Sequence, residues 1–486
     1  MRADAIGIVP AMPDDPDPAA ESRVAGRPGV TPARLLPCLV YAALSTAVVS
    51  SLGMLLVPTI SQELHVSVST AQWMLTVNLL VGAVATPVMG RLSDGPHKKL
   101  LLVCSLLVIL AGSVIAALAT SFAVFLIGRA LQGLTYGIVP VTIALAKRYL
   151  PPDRAAPGIA SLSVTVATGM GVGYPLTGII AGSLDYEFAF WFAALFVVSA
   201  LIVVLVAVPA GPDERAPRTP FDVPGAAVLA LGLAALLLSV SEGATWGWGS
   251  GRTLGGFTAA AAALAIWSLI ELRVPHPLIN LRVLRRPDAL IANIIAVTLG
   301  MVMYIVLSIG SIIAQAPTET GYGIGLAVFW AGFVMLPFSA GSFLANRVMH
   351  RLTRRFEMSA LLPVGAALVA AASLILQVAY DELWEILLGM FLVGTGVGTT
   401  YAAIPALIAR SVADEELGSA VSFNQVLRTV GGSFGSALSG VVLAAHLGAD
   451  GHSTGEGISL ALTLSSAGAV TVLAGLLVVR FRTPRT

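Results

Sequence analysis

Charge is what this chain lacks most. Asp, Glu, Lys and Arg make up 11% of its 486 residues, against roughly 25% in an ordinary soluble domain. Hydrophobic residues reach 57% and mean hydropathy is +0.89, so the chain calls for lipid as its solvent. A net charge of +1 leaves no basic surface for a nucleic acid. The two cysteines, Cys38 and Cys104, both sit in apolar runs. They form neither a disulfide framework nor a metal-ligand set and read as buried inert thiols. No His-rich cluster or paired intramembrane acids are present, which argues against a polytopic membrane enzyme; no metal or cofactor is expected. Residues 1–34, rich in Pro, Asp, Ala and Gly, lack the basic start and apolar stretch of a secretory signal and read as a disordered cytoplasmic tail.

What is present is a series of long apolar stretches. A span needs about 20 mostly apolar residues to cross roughly 30 Å of hydrocarbon. Fourteen stretches qualify, at 36–58, 71–90, 100–120, 122–146, 158–182, 188–208, 223–241, 254–271, 288–314, 324–345, 358–378, 383–409, 418–445 and 458–479. The Ala-rich stretches 223–241 and 254–271 are the shortest in character. Lys and Arg collect in cytoplasmic loops. Here all but Arg129, Arg428 and Arg252 fall on one side, in clusters such as GPHKK, AKRYLPPDR, INLRVLRRP and NRVMHRLTRRF, each after an even-numbered span. Both termini are therefore expected inside.

Glycines expose an internal repeat. Gly128, Gly133 and Gly137 of span four recur as Gly389, Gly394 and Gly398 of span twelve, and Gly169, Gly173 and Gly178 of span five recur as Gly431, Gly435 and Gly440 of span thirteen. The offset skips eight spans, so two parallel six-span repeats must be separated by an inserted pair, spans seven and eight. Parallel repeats place a substrate cavity between them. Glycines at these spacings also serve close packing. The resulting organisation is a tail at 1–34, a six-helix bundle at 35–208, a cytoplasmic linker at 209–222, the inserted pair at 223–271, a second linker at 272–287, a second bundle at 288–480 and a tail at 481–486.

Three motifs carry a family resemblance. GRLSDGPHKKL after span two, with Gly90, Leu92, Asp94, Lys98 and Lys99, resembles the first-loop signature of the major facilitator superfamily, with His97 in place of its second glycine. Arg129, Gln132, Gly133 and Gly137 match that family's Arg-x-x-Gln-Gly pattern. GMGVGYPLTGIIAG in span five, with Gly169, Gly173, Tyr174, Pro175 and Gly178, resembles its antiporter motif, the proline shifted by one. With fourteen spans, the chain resembles the drug/proton antiporter branch that includes bacterial antibiotic exporters. The resemblance implies an all-α membrane fold, a monomer in the bacterial inner membrane, a small amphipathic substrate and protons as counter-ion. It implies a gate latch at Asp94 with the basic pair, for which an N-cap or turn acid is the plain alternative. The acid that the family carries in span one is absent, Val49 or Ser50 standing at its place, so no proton carrier is nominated. A uniporter or importer of the same fold stays open.

An arginine in mid-span costs about 2.5–3.5 kcal/mol on insertion scales, so Arg129 and Arg428 must face the protein interior. Arg129, Gln132 and Tyr136 form one polar stripe; Asn424 and Arg428 share a face with Gly431 and Gly435. These residues either serve transport or brace backbone carbonyls and each other. Tyr174, Tyr304, Trp330 and Tyr401 are candidates to line an amphipathic cavity. The acids Glu242, Glu271, Asp288 and Glu385 all lie at span ends. The charge inventory points to neutral or anionic substrates over lipophilic cations.

Overall fold

The computed structural model describes residues 32–53, 56–209, 220–284, 286–352, 361–409, 412–413, 416–448 and 452–482. The N-terminal tail, most of the 209–222 linker, the basic loop after Leu352 and residues 483–486 lie outside the described residues. Among the described residues the fold is helical, with one isolated bridge between Leu447 and Ser453. That is what hydrocarbon demands, because a helix satisfies its backbone groups internally.

The first bundle consists of span one (Pro32–Ser51), span two (Trp73–Asp94), span three (Lys98–Ala117), span four (Phe122–Gln132 and Thr135–Tyr149), span five (Pro152–Ser183) and span six (Tyr186–Ala207). The inserted pair is span seven (Val223–Trp246) and span eight (Gly251–Glu271). Span nine (Pro287–Gln315), span ten (Val328–Phe333 and Leu336–Leu352), span eleven (Leu362–Val378), span twelve (Leu383–Ala409), span thirteen (Leu417–Ala445) and span fourteen (Gly455–Arg482) form the second bundle. Among the described residues thirteen of these are long and apolar enough to cross a membrane, and span eleven, at 17 residues, is shorter. At about 1.5 Å per residue it covers roughly 26 Å, still within reach of a thin core.

Several boundaries differ from the sequence reading for identifiable reasons. Span one stops at Ser51, not at 58, because the chain turns through Gly53 at φ +115°, a conformation that favours glycine. Spans four and ten are each broken. Pro337 has no N–H for the carbonyl of Phe333, where the first piece of span ten ends; span four breaks at Gly133–Leu134, and the chain bridges both breaks with short i to i+3 bonds such as Leu134 N–H to Leu131 and Val334 N–H to Ala331. The inserted pair is longer than expected. Asp222 caps span seven by accepting from the Gly225 N–H at 2.9 Å, and Ser250 caps span eight through the Thr253 N–H at 3.3 Å. The Ser250 cap draws Gly251, Arg252 and Thr253 into span eight, residues that hydropathy alone discards, while span seven starts at Val223 as expected and runs on to Trp246. Cys104 is exposed and Cys38 half-buried, so neither is the core thiol expected.

The repeat is realised in packing. A Cβ on Gly169 or Gly173 would strike Ala47 and Ser51 of span one, and one on Gly431 or Gly435 would strike Val297 and Met301 of span nine. Likewise Gly128 lies on span three and Gly389 on span eleven, whereas Gly133 and Gly137 lie on span two and Gly394 and Gly398 on span ten. Each half therefore uses the same glycines against the equivalent helices. Span two packs along span thirteen and span five along span ten, joining the halves, while span seven lies over the seam between spans two and thirteen. Span eight is only 17% buried. It holds span thirteen through Trp267, whose ring lies 6.1 Å from that of Phe423.

These contacts make a graded test. Gly431→Val would push a side chain into the span nine backbone, with Val297 O 2.0 Å from the new Cβ, and is expected to destabilise the fold by about 1–3 kcal/mol. Gly440→Ala meets nothing within 4 Å and should leave stability unchanged. Thermal unfolding in detergent reads the difference.

Candidate functional site

Arg129 lies in the first piece of span four, enclosed within the first bundle. It is 1% exposed. Its Nε donates to the Met74 carbonyl at 3.3 Å and its Nη1 to Gln132 Oε1 at 2.6 Å. Gln132 passes the chain on, donating to Ser113 Oγ at 2.8 Å, and Asn78 donates to the Arg129 carbonyl at 3.1 Å. Phe190 of span six closes the far side, its ring centroid 5.8 Å from the guanidinium. Gly53 makes room for this group; any Cβ there would meet the Met74 side chain. The sequence reading grouped Arg129, Gln132 and Tyr136 but missed Asn78 and Ser113, whose small polar side chains give no signal in a hydropathy profile.

The first-loop motif sits at the end of the bundle that carries the basic clusters. Asp94 is the last residue of span two rather than a loop residue, and it is buried. Among the described residues its partners across the halves are backbone amides: Oδ1 accepts from the Gly418 N–H at 2.8 Å and Oδ2 from the Ser419 N–H at 3.0 Å. Both amides belong to the first turn of span thirteen, where helix N–H groups lack internal partners and favour negative charge. Gly90, one turn earlier, lets the backbones close, since its Cβ would lie 2.1 Å from Ser422 Oγ. The basic pair acts elsewhere. Lys98 donates to the Gly95 carbonyl at 2.8 Å, and Lys99 to the carbonyls of Leu205 and Val208 at 2.9 and 2.6 Å, tying span three to the end of span six.

Span five makes the second seam. Gly169 and Gly173 face span one, and Gly178 is buried, but the glycine of this helix that meets the other half is Gly171, against Met335 and Ser339. Ser339 Oγ donates to the Thr168 carbonyl at 2.7 Å. The Tyr174–Pro175 backbone abuts Gly332 of span ten. Pro175 cannot donate to the carbonyl of Gly171, which loosens the helix at this contact.

Tyrosines converge between the halves. Tyr304 of span nine lies within electrostatic reach of Tyr136 and Tyr174 in the first half and of Tyr401 and Arg428 in its own. Tyr136, Tyr174, Tyr304 and Arg428 are half-buried, and Tyr401 is buried. The Arg428 guanidinium stands 4.0 Å from the Tyr401 ring centroid and donates to Gln425 Oε1; the Tyr401 hydroxyl points at Met303 Sδ, 3.6 Å away. Small residues admit the rings: a Cβ on Gly82 would strike Tyr136, and one on Gly432 would strike Tyr304. Asn424 does not join the group. It donates to Ala292 O and Asn293 Oδ1, both at 3.0 Å, fastening span thirteen to span nine. Trp330 is 58% exposed and lines nothing here. Gln425, which the sequence reading passed over, is the side chain that reaches Arg428.

Comparison with known proteins places this arrangement. The family model for the Major Facilitator Superfamily matches residues 38–436. The chain is 29% identical over 440 residues to an MFS-type transporter of Mycobacterium tuberculosis, covering 89% of this chain and 63% of that protein; it thus spans less than two thirds of that relative. It is 27% identical over 456 residues to the tetracenomycin C resistance and export protein of Streptomyces glaucescens, covering 90% and 80%. It is 23% identical over 397 residues to the probable multidrug resistance protein EmrY of Escherichia coli, covering 80% and 76%. In fold it matches the crystal structure of the human organic anion transporter MFSD10 with a TM-score of 0.65 at 16% identity, over 93% of this chain and all of that one.

Two outcomes follow from the geometry. Arg129→Ala removes the partner of the Met74 carbonyl and of Gln132, groups that cost about 1–3 kcal/mol each when left unpaired; unfolding temperature and membrane abundance should fall together with activity. Asp94→Ala removes two charge-assisted bonds of about 1.5–3 kcal/mol each. In a variant with Cys38 and Cys104 replaced, a thiol at Ser422 should then react with maleimide several-fold faster than with Asp94 intact.

Proposed function

Because this chain belongs to the Major Facilitator Superfamily, we propose that it is a secondary active exporter of small amphipathic compounds, a drug or antibiotic efflux protein driven by proton antiport. It works as a multi-pass transporter rather than an enzyme. The observation that carries the reading is the tyrosine-rich centre shared by two parallel repeats, beside seams that can part. Spans two and thirteen hold the basic end shut through Asp94, Gly90 and the first turn of span thirteen. Rocking the repeats would exchange this seal for one at the opposite end. With basic loops on the cytoplasmic side, the termini are cytoplasmic and the latch is the inner gate of a protein in the bacterial inner membrane, acting as a monomer.

Export is supported by the span five motif and by relatives whose names record resistance and export. Gly171, Tyr174 and Pro175 put that motif against span ten, where the bond missing at Pro175 eases movement of one helix relative to the other. The lack of a mid-span acid in the sequence favours a second reading, uniport of a metabolite by the same machinery. Everted vesicles decide between them. An imposed proton gradient should drive uptake of a substrate, and an uncoupler should abolish accumulation above equilibrium; uptake that the uncoupler leaves unchanged would mean uniport.

A further inference from the structure

Arg129 and Arg428 pay the same desolvation cost in opposite ways. Arg129 is enclosed by a backbone carbonyl, a glutamine and a phenylalanine ring within one bundle. Arg428 stands beside Tyr401 and within reach of Tyr304, which in turn reaches Tyr136 and Tyr174 of the first half, and is only half-buried. Among the described residues its guanidinium donates to Gln425 Oε1 and has neither a backbone carbonyl nor a carboxylate partner. One face rests on Tyr401. A guanidinium has five N–H donors, so most of its donor capacity is not taken up by this chain, at a depth where a charge without partners is costly. Beside it stand Tyr401 and, within reach, Tyr304; tyrosine rings offer flat apolar faces and their hydroxyls offer polar rims.

We infer that Arg428 and Gln425, with Tyr136, Tyr174, Tyr304 and Tyr401 around them, form the recognition site for an aromatic anion, an acid with a flat apolar body. The inference rests on the export reading and gives it a substrate class. The carboxylate takes the free donors of Arg428, an arrangement for which the planar guanidinium is suited. The body stacks against tyrosines from both halves, so one ligand touches both repeats. A lipophilic cation would face Arg428, which has no carboxylate partner among the described residues to offset it. A neutral isostere would keep the stacking and lose the ion pair.

Three probes of one shape test this with purified protein in detergent: anthracene-2-carboxylate, its methyl ester and anthracene-2-methylammonium, followed by the change in probe fluorescence. The carboxylate should bind at least tenfold tighter than the ester, with the ammonium weakest. Arg428→Gln should weaken the carboxylate by tenfold or more while the ester changes less than twofold. Should Arg428→Gln fail to fold, Gln425→Glu tests the same point, since it supplies the arginine with an internal carboxylate; it too should erase the preference for the acid. Tyr401→Leu should weaken carboxylate and ester alike. Equal binding of acid and ester, tightest binding of the ammonium, or a preference for the acid that survives both Arg428→Gln and Gln425→Glu would overturn the site. The export reading fails separately: vesicles that move other compounds on a proton gradient while the acid neither binds nor competes would leave export standing and remove this site. Acid binding that depends on Arg428, without gradient-driven movement of any compound, would do the reverse.

Discussion

Helices in hydrocarbon gain nothing from hiding apolar side chains from one another, because the lipid is as apolar as they are; close backbone contact has to hold them instead. This constraint accounts for most of the architecture. Gly133 against span two and Gly394 against span ten, Gly173 against span one and Gly435 against span nine, set the spacing within each bundle. The seams between bundles use the same device, with Gly90 facing Ser422 and Gly171 facing Ser339. A glycine opposite a serine gives a contact as close as one between glycines, yet one that carries a polar group. Such a surface can separate and meet water without exposing a large apolar patch.

The latch shows how a single acid can be held at such a seam. Asp94 reaches a place where two amides of span thirteen have no helical acceptor, and the helix dipole adds to the attraction. The same helix end is engaged from another side. Asn280, in the stretch after the inserted pair, donates to Glu416 Oε1 at 2.9 Å, immediately before the turn that binds Asp94. Glu271, the last residue of span eight, accepts from Trp267 at 2.8 Å and from the Ile279 N–H at 3.3 Å, which orders that stretch. The inserted pair is thus joined to the seam at both ends, through Thr76 and Ser241 at 2.9 Å and through Asn280 and Glu416.

Much of this was legible in the amino-acid order. A helix spanning lipid must be apolar over about 20 residues, and glycine matches report backbone packing, so the span count, the inserted pair and the repeat all appear in one dimension. Arg129 and Gln132 were also legible as partners, being one turn apart. Boundaries were less so: the start of span eight at the Ser250 cap and the breaks inside spans four and ten depend on local hydrogen bonds that hydropathy averages away.

Which residues meet across the halves was decided by tertiary structure alone. Asp94 and Gly418 are 324 positions apart, and an amide at a helix terminus has no letter in the sequence, so a basic side chain was the partner expected. Asn424 and Gln425 are neighbours in the chain and equally polar; the 100° step between them sends one to span nine and the other to Arg428. The two arginines look alike in sequence, each alone in an apolar helix. The sequence determines that both must be buried in protein, because lipid cannot solvate a guanidinium, while only helix packing decides that Arg129 is closed in by its own bundle and that Arg428 lies half-buried against Tyr401.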